Sequence, residues 1–426
     1  MRKWIAVERH EWFALLVSFS YFFLVLAAYY VVRPVRDQLS AAVGSTALPL
    51  FYLATFLVTL ALTPAFGALA SRFPRRQFVP AVYLFFVVCL IGFIPLFQMQ
   101  DEIGARLLGT VFFVFGSVFN LFVVAVFWSF IADIFDPQQA RRLFPIIAVG
   151  GALGAIAGPA ATQGLVYHIG VSGLLVLSAS LLALCIVCIF ALSAWARRNP
   201  IAADPGRDER IIGGSMLGGM MQTLRSPFLR RVALLLLLGD AVGTVVYAML
   251  ADYSNATFTT REERIAFASS LDLSANVLQI LLQVTVTRIV LVRFGPSLAI
   301  VIDGLVKAVM LGGLIVFGGG WIIAVAIVTR ASAYGVFKPG ADSLYTMVDA
   351  ETRYKAKNFI DTAVWRFGDL VVTSGFNLLR TLGTTLPGFA ALTVAAALTS
   401  AWLGSRVAQA DEVTGKADEK AAPSHG

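Results

Sequence analysis

Apolar runs of about twenty residues recur along the chain, separated by short polar or glycine-rich breaks. A bilayer core takes ~20 apolar residues per helix. About twelve segments meet that length: 11–32, 47–70, 77–97, 107–132, 143–167, 172–195, 229–251, 268–292, 296–317, 320–337, 358–381 and 384–404. The runs are continuous and rich in Leu, Val, Ala and Phe, whereas a transmembrane barrel would show short alternating segments. The eleventh run departs from the others. At about 100° per residue, Asp361, Thr362, Arg366, Asp369, Thr373, Asn377 and Arg380 share one side of a helix, with Phe367, Val371 and Leu378 opposite. A charge facing lipid costs at least a few kcal/mol, so this stripe is expected to face protein or a water-filled path for a solute or ion.

Composition points the same way. Of 426 residues, 58% are hydrophobic and 14% charged, against about 25% charged in soluble domains. The expected fold is an all-α polytopic membrane protein of about twelve transmembrane helices. The segment 197–228, rich in Arg, Asp, Gly and Pro, divides it into an N-terminal six-helix bundle (1–196) and a C-terminal one (229–406). We expect 197–228 to be a cytoplasmic linker with a surface helix over 216–229, and 407–426 to be a disordered cytoplasmic tail. Basic loops at corresponding places in the two halves suggest a duplicated transporter.

The net charge of +8 sits in alternate loops. One set holds Arg72, Arg75 and Arg76; Arg141 and Arg142; the arginines of 197–231; Arg288 and Arg293; and Lys338, Arg353, Lys355 and Lys357. The other set is short or mixed in sign. The positive-inside rule places the basic set and both termini in the cytoplasm of a cell inner (plasma) membrane. The charge is therefore a topology signal and implies no nucleic-acid partner; the partner it implies is the lipid bilayer. Met1-Arg2-Lys3 precedes the first run and no small-residue cleavage site follows it, which reads as a retained helix.

Cys89, Cys185 and Cys188 lie within apolar spans and read as packing residues. His10, His168 and His425 are scattered without metal spacing. There is no phosphate-cradling G-x-x-x-x-G-K-[ST] loop and no nucleophile–base constellation, so neither an enzyme nor a bound cofactor or metal is expected. The candidate chemistry is charge inside the spans. Arg33, Arg36 and Asp37 follow Tyr29 and Tyr30 on one arc at the end of the first run, and this reads equally as an interfacial belt or as an anion contact. Asp240, Thr244 and Tyr247 share a face of the seventh span, and an acid there is costly enough to suggest function. Asn276, Gln279, Gln283 and Thr287 form a stripe along the eighth. Asp303 and Lys307, at i and i+4, read as a mutually satisfied structural pair. Gly150, Gly154 and Gly158 offer a smooth face for close helix packing.

Gly67-Ala68-Leu69-Ala70-Ser71-Arg72-Phe73-Pro74-Arg75-Arg76 resembles the loop signature of the major facilitator superfamily, with Ser71 and Pro74 replacing its Asp and second Gly. The resemblance implies a gating place for Arg72. Nearly the whole chain resembles the ATP/ADP (nucleotide) translocase family of plastids and bacteria. That resemblance is carried by Tyr30-Val31-Val32-Arg33-Pro34-Val35-Arg36-Asp37, by Phe127-Trp128-Ser129-Phe130-Ile131-Ala132-Asp133 with Ala140-Arg141-Arg142-Leu143-Phe144-Pro145, and by Tyr354-Lys355-Ala356-Lys357-Asn358-Phe359-Ile360-Asp361. It implies a functional basic residue at Arg36 and functional acids at Asp133 and Asp240. Where that family's eleventh span presents a Lys after Gly, this chain has Gly368-Asp369. A Lys there would hold phosphate and an Asp repels it, with Arg366 one turn back to compensate.

The expected activity is secondary active transport by alternating access of an anionic metabolite such as a nucleotide, by exchange or proton coupling. Arg33, Arg36, Arg366, Tyr29 and Tyr30 would bind the solute; Asp133, Asp240, Asp361, Asp369 and Arg72 would serve coupling or gating. One alternative is a proton-coupled exporter of a cationic or amphiphilic solute. Another is a non-transporting scaffold or lipid-handling protein on a transporter fold.

Overall fold

The computed structural model describes residues 7–73, 75–199, 216–345, 348, 356–357 and 359–421. Among them, nine helices are long and apolar enough to cross a membrane. Two of these bend sharply at a glycine with positive φ, Gly170 (φ 59°) within Pro137–Arg198 and Gly295 (φ 77°) in the stretch Arg261–Phe317. Only glycine enters that region without a Cβ clash, and each bend reverses the chain. One further helix, over 360–381, carries the charged stripe. The elements are α1 (Trp12–Val43), α2 (Leu48–Arg72), α3 (Arg75–Gln98), α4 (Ala105–Ile134), α5 (137–169), α6 (171–198), α7 (Pro227–Thr257), α8 (261–294), α9 (296–317), α10 (322–344), α11 (360–381) and α12 (Leu386–Ala421). A short helix, Met216–Arg225, precedes α7. The rest of the expected linker, 200–215, lies outside the described residues, as do 422–426 of the tail. This is the all-helical, polytopic membrane architecture that the pattern of apolar runs predicts.

Two boundaries differ from expectation. Helix α1 continues through Pro34 to Val43 and buries Val35, Gln38 and Leu39 completely. Arg33, Arg36 and Asp37 are thus inside a helix and not at its interfacial end. Asp37 and, from α8, Asp272 together offset the two guanidinium groups, which lets them ride on a buried segment. Helix α12 runs to Ala421, where a disordered tail was expected. Ala, Gln, Glu and Lys dominate that stretch, and all are strong helix formers.

The chain forms two compact units. The first is Met1–Ile211 with Ser254–Asn276; the second is Ile212–Tyr253 with Val277–Gly426. The division does not follow the linker alone, because the end of α7 and the first turns of α8 belong to the first unit. Ile265 is fully buried in that unit's core.

The first unit is built around aromatic packing, with Tyr21, Tyr83, Phe112, Phe119 and Phe127 fully buried. Phe22 and Phe127 stack at 4.3 Å between centroids. Helix α5 lies directly on α1. A Cβ added at Gly150 or Gly154 would strike the carbonyl oxygen of Phe19 or Phe23, and one at Gly158 would come 2.8 Å from Ala27 O. Side chains as small as hydrogen let the two backbones touch, as the glycine spacing suggests.

The second unit has a core of Leu229, Val232, Leu235, Ile300, Ala341, Leu344 and Tyr345. Three of its helices contain a π-helical turn: Gln283–Thr287 in α8, Ala333–Phe337 in α10 and Ile360–Val364 in α11. Such turns disturb the regular ladder and free carbonyl groups, and they concentrate at functional sites. Here side chains of the first turn satisfy the second: Thr287 Oγ1 donates to Gly335 O (2.6 Å) and Gln283 Nε2 to Tyr334 O (3.2 Å).

Candidate functional site

Each unit carries its own charged cluster. In the first, Arg33 and Arg36 project from α1 one turn apart. Arg36 Nε and Nη2 both donate to Asp37 Oδ1, at 2.9 and 2.7 Å. Its guanidinium lies 4.9 Å from the centroid of the Phe113 ring and its stem packs at Gly116 of α4. Arg33 Nε stands 3.8 Å from Asp37 and 3.7 Å from Asp272 of α8. Tyr29 and Tyr30 close the arc with ring centroids 5.2 Å apart, and Arg33 rests 5.7 Å from the Tyr30 centroid. Tyr30 hydroxyl reaches Asn276 Oδ1 (3.5 Å), and Asn276 Nδ2 donates to Ala155 O (2.6 Å). Both arginines therefore already face carboxylates. Asp272, which is 1% exposed, was not singled out from sequence. The signal was available, since it precedes Asn276 by one helical turn in the same polar stripe.

In the second unit, α7 and α11 bring together Asp240, Thr244, Asp369 and Thr373. Thr244 Oγ1 donates to Asp369 Oδ1 at 2.7 Å, and Thr373 Oγ1 to Asp369 O at 2.7 Å. Asp240 neighbours Asp369, Trp365 and Arg366. Arg366 Nη1 stands 3.8 Å from Asp369 Oδ2. Gly368, Asp369, Thr373 and Phe376 are buried, while Phe367, Val371 and Leu378 are exposed, so the amphipathic division of the eleventh run is real. The side chain of Thr362, assigned to that stripe, lies outside the described residues. Trp365, beside Asp240, was missed because its residue type gives no charge signal.

Behind Asp240, Lys307 holds α7 in place. Its Nζ pairs with Asp303 (2.9 Å), donates to Gly239 O (3.3 Å) and lies 5.0 Å from the centroid of Phe337. Ser332 Oγ completes Asp303 at 2.6 Å. Both members of this pair are 2% exposed, and every contact is internal, as a structural pair requires.

Asp361 belongs to a different constellation. Lys338 Nζ lies 3.3 Å from Asp361 and 3.4 Å from Asp342, and Lys357 Nζ lies 2.6 Å from Asp342. Lys338 and Lys357 also stand over Trp365 and Tyr345 at 5.1 and 5.3 Å. Lys338, expected in a loop, starts the last helical stretch of α10, Lys338–Leu344. This alternating chain is neutral. Of the motif at 354–361, residues 354, 355 and 358 lie outside the described ones.

Asp133 and Arg72 join neither cluster. Both are exposed near the ends of α4 and α2. Gly116, the residue of α4 that meets Arg36, is almost five helical turns from Asp133, roughly 25 Å at 1.5 Å per residue.

The sequence matches no protein-family model and no curated protein. Its structure does have counterparts. A bacterial homologue of the iron transporter ferroportin, in an inward-facing state, superposes with a TM-score of 0.63 at 18% identity over 94% of this chain and 97% of that one. The nucleoside transporter NupG gives 0.62 at 12% identity, over 94% and 99%. A D-xylose-proton symporter gives 0.62 at 13%, over 93% and 97%. At these identities the likeness is one of fold alone.

Proposed function

We propose that the chain is a secondary transporter working by alternating access, with Asp240 and Asp369 as its cation- or proton-binding element. One observation carries this reading. Two neighbouring carboxylates inside the membrane-spanning helices of the second unit share a single guanidinium, that of Arg366. The remaining charged pair behind them, Asp303 with Lys307, is self-contained. Two carboxyl groups thus compete for one guanidinium, and intramembrane acids are retained where they serve an ion or proton path. The Thr244 hydroxyl fixes the rotamer of Asp369, which pre-organises the group for a returning ligand.

The anion reading rests on Arg33, Arg36 and Arg366, and the geometry favours it less, since Arg366 too stands beside a carboxylate, that of Asp369. Asp37 and Asp272 already neutralise the guanidinium groups of Arg33 and Arg36. A nucleotide would have to displace both acids, at a desolvation penalty of several kcal/mol per uncovered buried charge. On this reading the first-unit cluster is a structural tie between α1 and α8, and the carboxylates of the second unit are the working site.

Proteoliposomes containing the purified protein and an internal pH-sensitive dye test the assignment. Labelled ATP, ADP, a sugar phosphate and an organic cation are offered in parallel under an imposed pH gradient. The expected result is cation movement coupled to internal pH, lost in Asp369→Asn and Asp240→Asn. Exchange of ATP for ADP that survives Asp369→Asn and disappears in Arg36→Ala would reverse the assignment in favour of nucleotides. Absence of any solute-dependent signal, with the protein correctly folded, would favour the scaffold alternative.

A further inference from the structure

The short helix Met216–Arg225 meets α7 through a single residue, Ser226. The Ser226 hydroxyl accepts from the Leu229 amide at 3.3 Å and so caps the start of α7. Since α7 is long and apolar enough to cross the membrane, a helix that ends one residue before it is held at the level where that span enters hydrocarbon. The faces of this helix are inverted relative to those of a soluble amphipathic helix. Polar Thr223 is 3% exposed and turned into the protein, whereas Met221 and Leu224, three residues apart on one side, are 47% and 56% exposed. In water the apolar face would be the one to pack inward. At a membrane surface that face enters the boundary between headgroups and acyl chains.

Three arginines adjoin the exposed pair. Arg225 lies in the last turn of the short helix, and Arg230 and Arg231 lie at the start of α7. All three are exposed, and among the described residues none of them meets a carboxylate. In this they differ from Arg142, Lys338 and Lys357, each of which faces an acid. An arginine stem lies along apolar surface while its head reaches outward to the charged layer, and the planar guanidinium matches two oxygens of one phosphate. Apolar side chains at acyl depth and unpaired guanidinium groups at headgroup depth thus occur together within residues 221–231.

We infer that this short helix and the start of α7 form a docking surface for anionic phospholipid, with Met221 and Leu224 among the acyl chains and Arg225, Arg230 and Arg231 on the headgroup phosphates. Charge complementarity selects this occupant. A zwitterionic lipid offers the same acyl chains, but its own cation offsets the phosphate charge. Each arginine near an anionic surface adds about fivefold in affinity (~1 kcal/mol). A second copy of the chain would bring the same arginines to the contact and so be repelled. Bound lipid would pin the entry of α7, the helix that carries Asp240 and Thr244. The inference stands independently of the role given to those side chains.

The experiment is amide hydrogen exchange on the full chain in nanodiscs of phosphatidylcholine, alone or mixed with phosphatidylglycerol. Amides of 217–226 are expected to exchange at least about fivefold more slowly in the mixed discs, while those of 245–253, further along α7, stay the same. Salt near 1 M, which shortens the screening length to about 3 Å, should reverse the slowing. The triple variant Arg225→Gln, Arg230→Gln, Arg231→Gln should abolish it. Should that variant fold poorly, Arg225→Gln alone, outside the span, should reduce it severalfold. Equal exchange in the two kinds of disc overturns the inference, as does a slowing that survives high salt and the arginine variants. Slowing produced by soluble glycerol phosphate in pure phosphatidylcholine discs identifies a site for a free phosphate ester and overturns the lipid assignment. Protection that follows the number of copies per disc and ignores phosphatidylglycerol identifies a self-interface and overturns it too.

Discussion

Asp303 and Asp369 are both buried acids of the second unit, yet their neighbours give them opposite consequences on removal. Asp303 is matched by Lys307 and Ser332. Lys307→Ala should cost about 3–5 kcal/mol, because it leaves a buried carboxylate without its partner. The double variant with Asp303→Ala should recover part of that loss, read from thermal unfolding in detergent. Asp369→Asn should leave the unfolding temperature unchanged or raise it, since a like-charge contact with Asp240 is relieved while transport is lost. Outside the spans, Glu11 offers a pH signature. Burial pushes its carboxyl up, but hydrogen bonds from the Glu8 amide, Arg142 and Gln139 together hold it below the usual carboxylate range. A depressed folded-state value means that the stabilisation is present above the unfolded value, about 4.3, and lost as pH falls through the folded one. Glu11→Gln should therefore lower the unfolding temperature at pH 7, with the difference shrinking as acid takes the pH down through the depressed folded-state value. Which residues carry charge into the spans was legible in the sequence. Which partner each one meets was not, because Thr244 and Asp369 lie 125 positions apart and Tyr30 and Asn276 lie 246 apart.

At the scale of elements, two devices hold helices at fixed distances. The first is the glycine face of α5. Gly154→Leu would drive a side chain into the Phe23 carbonyl and force α5 off α1. Overpacking of a tight seam costs roughly 1–3 kcal/mol or more, and the expected readout is loss of monodisperse protein on size exclusion, with Gly164→Leu, where a Cβ meets nothing within 4 Å, as the tolerated control. The second is the paired π-turns of α8 and α10. Thr287→Val keeps the shape but removes the donor to Gly335 O, leaving a freed carbonyl unsatisfied at a cost of about 1–3 kcal/mol. Thr287→Ser should restore most of it in the same unfolding assay. Apolar periodicity located these helices and the small-residue spacing foretold the α1–α5 contact. The π-turns were not foretold, because they arise from tertiary demands on residues with ordinary helix propensity. The extension of α1 past its apolar run was hidden for a related reason: hydropathy counts charges singly, and Arg36 with Asp37 behaves as a pair.

At the scale of the molecule, the succession of apolar runs was enough to foresee an all-helical membrane protein, because hydrocarbon leaves a backbone few other choices. The assignment of the end of α7 and the start of α8 to the first unit was not foreseeable, since it depends on contacts such as Arg33 with Asp272 and Asn276 with Ala155. The connections after α1, α3, α5, α9 and α11 each turn at a glycine with positive φ, at Gly44, Gly104, Gly170, Gly318 and Gly383. In a chain that crosses the bilayer with every helix, alternate connections emerge on the same face, so that face consists almost wholly of clipped reversals. The opposite face receives the long connection between α6 and α7, with Arg207 and Arg210 in it. Trypsin added to sealed vesicles that expose this face should therefore cut at Arg207 and Arg210, and in vesicles of the other orientation those two sites should be protected.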